Sequence, residues 1–139
     1  MQNFINKQKD KAIRSNKLAN QYDANYSHIY KAYEERLLLD NALDFADLLL
    51  YLYELFSLNQ QLREYYQSLF KYILIDEFQD TNQVQYMWLK LLATDNNYTM
   101  AVGDDDQSIY GWRGAVVDNI HNYVKDINNV EVIRLEQNY

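Results

Sequence analysis

Two short apolar runs, each ending in acidic and amide side chains, set the rhythm of the second half of the chain. Tyr72-Ile73-Leu74-Ile75 leads into Asp76-Glu77-Phe78-Gln79-Asp80, and Thr99-Met100-Ala101-Val102 into Gly103-Asp104-Asp105-Asp106-Gln107. A continuous apolar run of this length is the pattern of a strand buried on both faces of a parallel sheet. Between the runs, residues 82–93 place Val84, Met87, Trp88, Leu91 and Leu92 at helical spacing. Beyond them, Val116 or Val117, Ile120, Val124 and Ile127 mark another helix, and residues 130–135 read as a third strand. The order β-α-β-α-β predicts an α/β fold, a parallel sheet with right-handed crossovers. Ligands bind such sheets at the carboxyl edge, where both polar clusters fall.

The first half is helical in pattern. Tyr22, Tyr26, Ile29, Tyr33 and Leu37 recur at spacings of four, three, four and four, the stripe of an amphipathic helix. After Asp40-Asn41, either Asn41 or Asp44 can cap a second helix carrying Phe45, Leu48, Leu49, Leu52 and Leu55. A third follows with Leu62, Tyr65, Tyr66 and Leu69. The expected division is a helical subdomain over residues 1–70 and an α/β part over 71–139, the rhythm changing near Lys71.

Composition narrows the class. A 139-residue chain can bury one core. The absence of cysteine excludes disulfides and thiolate metal sites and fits a cytoplasmic protein. No apolar run approaches the roughly 20 residues of a membrane span, so a membrane partner is not expected. A net charge of -7 argues against bulk electrostatic capture of nucleic acid. The charge is uneven, however: Lys7, Lys9, Lys11, Arg14 and Lys17 face only Asp10 in the first 17 residues. That basic start reads either as a solvated helix face or as an arm that contacts phosphates.

The chemistry lies at the strand ends. Asp76 and Glu77 could hold a magnesium ion and orient a water toward a phosphate, because magnesium accepts one direct carboxylate and keeps several waters. The plainer alternative is that Asp76 caps the next helix and Glu77 is solvated. Gln107 could sense a terminal phosphate through its amide. Tyr110, Trp112 and Arg113 sit around Gly111 and Gly114, which permit an irregular backbone that turns those side chains outward. Aromatics beside an arginine suit base stacking and phosphate contact on a single strand; filling the core is the other use of Tyr110 and Trp112.

Four stretches together resemble the UvrD/Rep/PcrA family of superfamily 1 DNA helicases. Ile75-Asp76-Glu77-Phe78-Gln79-Asp80-Thr81-Asn82 is similar to the family's motif II, and residues 102–115, Val-Gly-Asp-Asp-Asp-Gln-Ser-Ile-Tyr-Gly-Trp-Arg-Gly-Ala, to motif III. Leu43-Asp44-Phe45-Ala46-Asp47-Leu48-Leu49 is similar to the short signature ahead of motif II, with Ala46 in place of an aspartate. Leu135-Glu136-Gln137-Asn138-Tyr139 matches the start of motif IV. The resemblance implies a partial RecA-like sheet preceded by the end of an inserted helical subdomain that reaches toward duplex DNA. It implies ATP and Mg2+ as substrate and cofactor, and single-stranded DNA and single-strand/duplex junctions as partners. Asp76 would help bind magnesium, Glu77 would activate the attacking water, and Gln107 would couple the γ-phosphate to the DNA. Tyr110, Trp112 and Arg113 would contact single-stranded DNA, and Tyr139 would pack on adenine.

The sequence departs from the family by omission. Glycine occurs only at 103, 111 and 114, so no Gly-x-x-x-x-Gly-Lys loop is present to cradle phosphates. The expectation is a fragment of an ATP-dependent 3′-to-5′ helicase, inactive by itself and requiring the phosphate-binding region and second motor domain. Two other readings fit the same residues: part of an AddA/RecB-type helicase–nuclease, or a non-catalytic module that binds single strands or a helicase.

Overall fold

The computed structural model describes residues 1–18, 24–104, 118–128 and 130–135. Four helices come first: α1 (Gln2–Lys9), α2 (Ala24–Leu39), α3 (Phe45–Leu58) and α4 (Gln60–Leu69). Strand β1 (Tyr72–Ile75), helix α5 (Gln83–Leu92), strand β2 (Tyr98–Ala101) and helix α6 (Asp118–Asp126) follow. The strands pair in parallel, with Tyr72 opposite Tyr98 and Ile75 opposite Ala101. This is the β-α-β unit expected from the two apolar runs, and it makes the chain α/β.

The sheet is smaller and more open than its sequence predicts. Residues 130–135 form no strand, and Val132, Ile133 and Leu135 are exposed. Strand propensity there finds no hydrogen-bonding neighbour among the described residues, and an unpaired strand has nothing to hold it. Nor are β1 and β2 covered on both faces. Ile73, Ile75 and Ala101 pack against a core of Phe78, Tyr86, Leu89 and Tyr123 contributed by α5, α6 and the turn after β1. The opposite face leaves Tyr72, Leu74, Tyr98 and Met100 open, with the Tyr72 and Tyr98 rings stacked at 5.5 Å.

Local signals explain where the helices begin. Asp44 caps α3 by accepting from the Asp47 amide at 2.8 Å, with Asp47 reciprocating in a capping box. Asn59 caps α4, and Asn82 caps α5 in a second box with Gln85. The expected apolar stripes are rotated, however. In α2 the buried position is Tyr30, while Tyr26 and Ile29 are exposed. In α3 Asp47, Leu50 and Phe56 are buried, whereas Phe45, Leu48 and Leu55 are exposed.

The rotation has an electrostatic cause. Lys9 is 0% exposed, and its Nζ lies 2.7 Å from Asp44 Oδ2 and 2.8 Å from Asp47 Oδ2. Arg14 reaches Glu54 with two hydrogen bonds at 2.9 and 2.7 Å, and also contacts Glu34 and Asp47. Two cations, Lys9 in the last turn of α1 and Arg14 on the segment after it, thus draw the acidic faces of α2 and α3 inward. The basic start is therefore neither wholly solvated nor wholly a phosphate arm; Lys7, Lys11 and Lys17 remain exposed. The segment turns at Ala12, whose φ of 58° lies in the left-handed region. An L-residue there costs about 1–2 kcal/mol, so Ala12→Gly should stabilise the chain by about 0.5–1 kcal/mol in urea unfolding, net of glycine's extra chain entropy.

Candidate functional site

The strand β1 delivers Asp76 and Glu77, both exposed, to the sheet's carboxyl edge. Asp76 turns back so that its Oδ1 accepts the Glu77 amide at 2.9 Å. It does not cap α5; Asn82 does. Glu77 has φ 50°, a left-handed conformation uncommon for a residue other than glycine. Such strain persists only where neighbours impose it. Here the next residue does so: Phe78 is buried against Tyr86 and Tyr123, and its amide donates to the Val102 carbonyl at 2.9 Å. Burying that ring is worth about 1.5–3 kcal/mol, enough to hold the turn.

Gln79 then joins the two strand ends. Its side chain is buried; Nε2 donates to Glu77 Oε2 at 2.6 Å, and Oε1 accepts the Asp104 amide at 3.0 Å. Gly103 makes room for it, since a Cβ at 103 would lie 2.7 Å from Gln79 Oε1 and 3.2 Å from its backbone nitrogen. The acidic clusters after β1 and β2 therefore share one rim as far as Asp104. Gln107, Tyr110, Trp112, Arg113 and Tyr139 lie outside the described residues.

Behind the rim, the polar residues after Gln79 build a scaffold. Thr81 Oγ1 donates to the Phe78 carbonyl, and Asn119 Nδ2 on α6 donates to the Thr81 carbonyl at 3.0 Å. Asn82 Nδ2 donates to Asp10 Oδ1 at 2.8 Å, while the Val84 amide donates to the Asp10 carbonyl at the same distance. Burial raises the Asp10 carboxyl above its usual value, and the hydrogen bond from Asn82 lowers it only in part.

A cleft of about 950 Å³ opens between α1, α3 and the start of α5. Lys7, Asp10, Asp80, Asn82 and Gln85 supply polar groups to its wall. Phe45, 91% exposed, stands at its rim beside Ala46 and Leu49. The periodic stripe had placed Phe45 in the core. What could have flagged it is its position as the first residue of α3, directly after the cap, where a side chain seldom reaches the interior. Lys9 was hidden in the same way. Asp44 and Asp47 at the start of α3 attract a cation as well as capping the helix, and the basic segment is the place to seek one.

The donors at the strand edge are carboxylate and amide oxygens, the hard set that magnesium prefers. Among the described residues, no three carboxylate, histidine or cysteine side chains are grouped to hold an ion by themselves. The residues present suit an ion held by one or two carboxylates and completed by water and phosphate oxygens, which is how magnesium usually binds.

A strand-end Asp-Glu pair tied to a Gly-Asp turn on the adjacent parallel strand defines an α/β protein with a candidate site at the sheet edge. The chain belongs to the UvrD/REP helicase N-terminal domain family, whose model matches residues 1–128. It is 46% identical over 139 residues to DNA helicase II of Escherichia coli, covering 98% of this chain and 19% of that protein. It is 55% identical over 111 residues to the probable DNA helicase II homolog of Rickettsia conorii, covering 80% of this chain and 17% of the relative. The ATP-dependent DNA helicase PcrA of Bacillus subtilis is 48% identical over 118 residues, 85% of this chain and 16% of PcrA. The chain thus spans less than a fifth of the length of these relatives. No helix among the described residues is long and apolar enough to cross a membrane.

Proposed function

We propose that this chain carries the hydrolytic edge and the DNA-contacting stretch of an ATP-dependent helicase that moves 3′ to 5′ on single-stranded DNA. Residues 71–139 form part of a RecA-like motor domain, and residues 1–70 the end of an inserted helical subdomain. The observation that carries the reading is the Gln79 bridge, which sets Glu77 and the Asp104 backbone on one rim. An acid activating water at one strand end and a stretch contacting DNA after the other are then neighbours.

In this reading Glu77 orients the attacking water and takes its proton, and Asp76 holds magnesium, which neutralises phosphate charge. Gln107 hydrogen-bonds the terminal phosphate, and Tyr139 packs on adenine. Trp112 and Tyr110 stack on bases and Arg113 contacts the strand backbone. Phe45 adds a further stacking surface, because an exposed ring at the rim of an amide-lined cleft offers a base both a face and hydrogen-bonding partners.

Fluorescence anisotropy of the purified chain with labelled single-stranded DNA tests this. Binding should be weak and salt-dependent, since the chain is acidic overall. Trp112→Ala and Phe45→Ala should each weaken it by about 1–3 kcal/mol, the value of one stacked base. The chain by itself should show no DNA-stimulated ATP turnover. Affinity unchanged in both variants would contradict the proposed DNA contacts, and turnover by the chain abolished in Glu77→Gln would contradict the need for the absent loop.

A further inference from the structure

Gln79 is a buried amide that uses both ends of its side chain on groups that are themselves at the rim. Nε2 holds the exposed Glu77 carboxylate at 2.6 Å, and Oε1 accepts the backbone amide of Asp104 at 3.0 Å. Exposed glutamates usually sample several rotamers; this one has a fixed donor. The amide fits closely beside Gly103, since a Cβ there would lie 2.7 Å from Oε1 and displace it. Two backbone hydrogen bonds, Val102 to Ile75 at 2.8 Å and Phe78 to Val102 at 2.9 Å, fix the strand ends on either side.

We propose that Gln79 is a positioning residue that makes the orientation of the Glu77 carboxylate depend on the backbone leaving β2. When the 103–104 backbone moves, Oε1 loses its donor, the amide turns, and Glu77 is released from Nε2. The stretch that begins at Val102 thereby reports its position to the acid at the neighbouring strand end by a route independent of Gln107. The catalytic meaning of this link rests on the hydrolytic role proposed for Glu77, whereas the link itself is measurable in the ligand-free chain, so failure of one is separable from failure of the other.

The test is solution NMR of the full chain, reading Glu77 χ1 couplings and hydrogen exchange at the Asp104, Val102 and Phe78 amides. In the unaltered chain, Glu77 should show a single rotamer and Asp104 a protected amide. Gln79→Met, close in shape but unable to donate or accept, should average the Glu77 couplings. It should also speed Asp104 exchange about tenfold, the factor one ordinary hydrogen bond gives, and leave Val102 and Phe78 unchanged. Gln79→Glu separates the two ends: its carboxylate still accepts from Asp104 but repels Glu77, so only the Glu77 couplings should average. Gly103→Ala should reproduce the Gln79→Met signature with the glutamine present, and it carries the test if the methionine variant does not fold. A single Glu77 rotamer persisting in Gln79→Glu and Gly103→Ala, or Asp104 exchange unaltered in Gly103→Ala, would overturn the proposal.

Discussion

Lys9→Ala should unfold far more readily than the unaltered chain, losing about 3–5 kcal/mol in urea denaturation near neutral pH. The size follows from what is left behind. Lys9 Nζ sits between Asp44 Oδ2 and Asp47 Oδ2, and also lies 5.1 Å from the centre of the Tyr33 ring. Removing it leaves Asp44 with the Tyr33 hydroxyl and the Asp47 amide, and Asp47 with Arg14 and the Asp44 amide. Lys9→Met should cost nearly as much, because packing is restored but the carboxylates remain uncompensated. Adding Asp44→Asn to Lys9→Met should recover part of the loss. Equal stability of Lys9→Met and the unaltered chain would show that the pairs contribute nothing.

The same cluster sets the acid limb. Burial opposes the charge on Asp44, but hydrogen bonds from Lys9, the Asp47 amide and Tyr33 outweigh it and hold the carboxyl below its ordinary 3.8. The unfolded chain then binds the proton first, so the stabilisation is complete above the ordinary value and is lost as pH falls through the depressed one. Asp10 works with the opposite sign, since its raised value makes protonation easier in the fold than out of it. Lys9→Met should flatten the fall in stability below about pH 4.

How much of this was legible in the sequence divides by the range of the interaction. The cap of α3 was legible because it is local, Asp44 bonding to the amide three residues on; for α5 the sequence offered Asp76, and Asn82 takes that place. The two strands and their polar ends were legible for the same reason, an unbroken apolar run followed abruptly by Asp-Glu or Gly-Asp. Lys9 and Arg14 were not, since their partners lie 20 to 40 residues away and a lysine in a basic run ordinarily faces water. The stripes of α2 and α3 were misread in consequence, because periodicity counts apolar residues, whereas these helices bury Asp47 and turn the half-buried Glu34 and Glu54 toward the two cations. Residues 130–135 carry strand propensity, but pairing is a property of two segments and the second is not in the sequence pattern. Gln79 reads as one polar residue among several, and its role needs the distance to Asp104, 25 residues on.

Glu77→Gln is the largest chemical effect expected. Its most direct measurement replaces the matching segment of Escherichia coli DNA helicase II with this chain, so that the remainder of a DNA helicase is supplied. If Asp76, Glu77 and the stretch after β2 form the hydrolytic edge, the chimera should hydrolyse ATP and be stimulated by single-stranded DNA. Glu77→Gln should then lower kcat by about 10²–10⁴-fold with little change in KM, the span that a positioned general base provides. A folded chimera in which Glu77→Gln turns over ATP as fast as its parent would contradict the account.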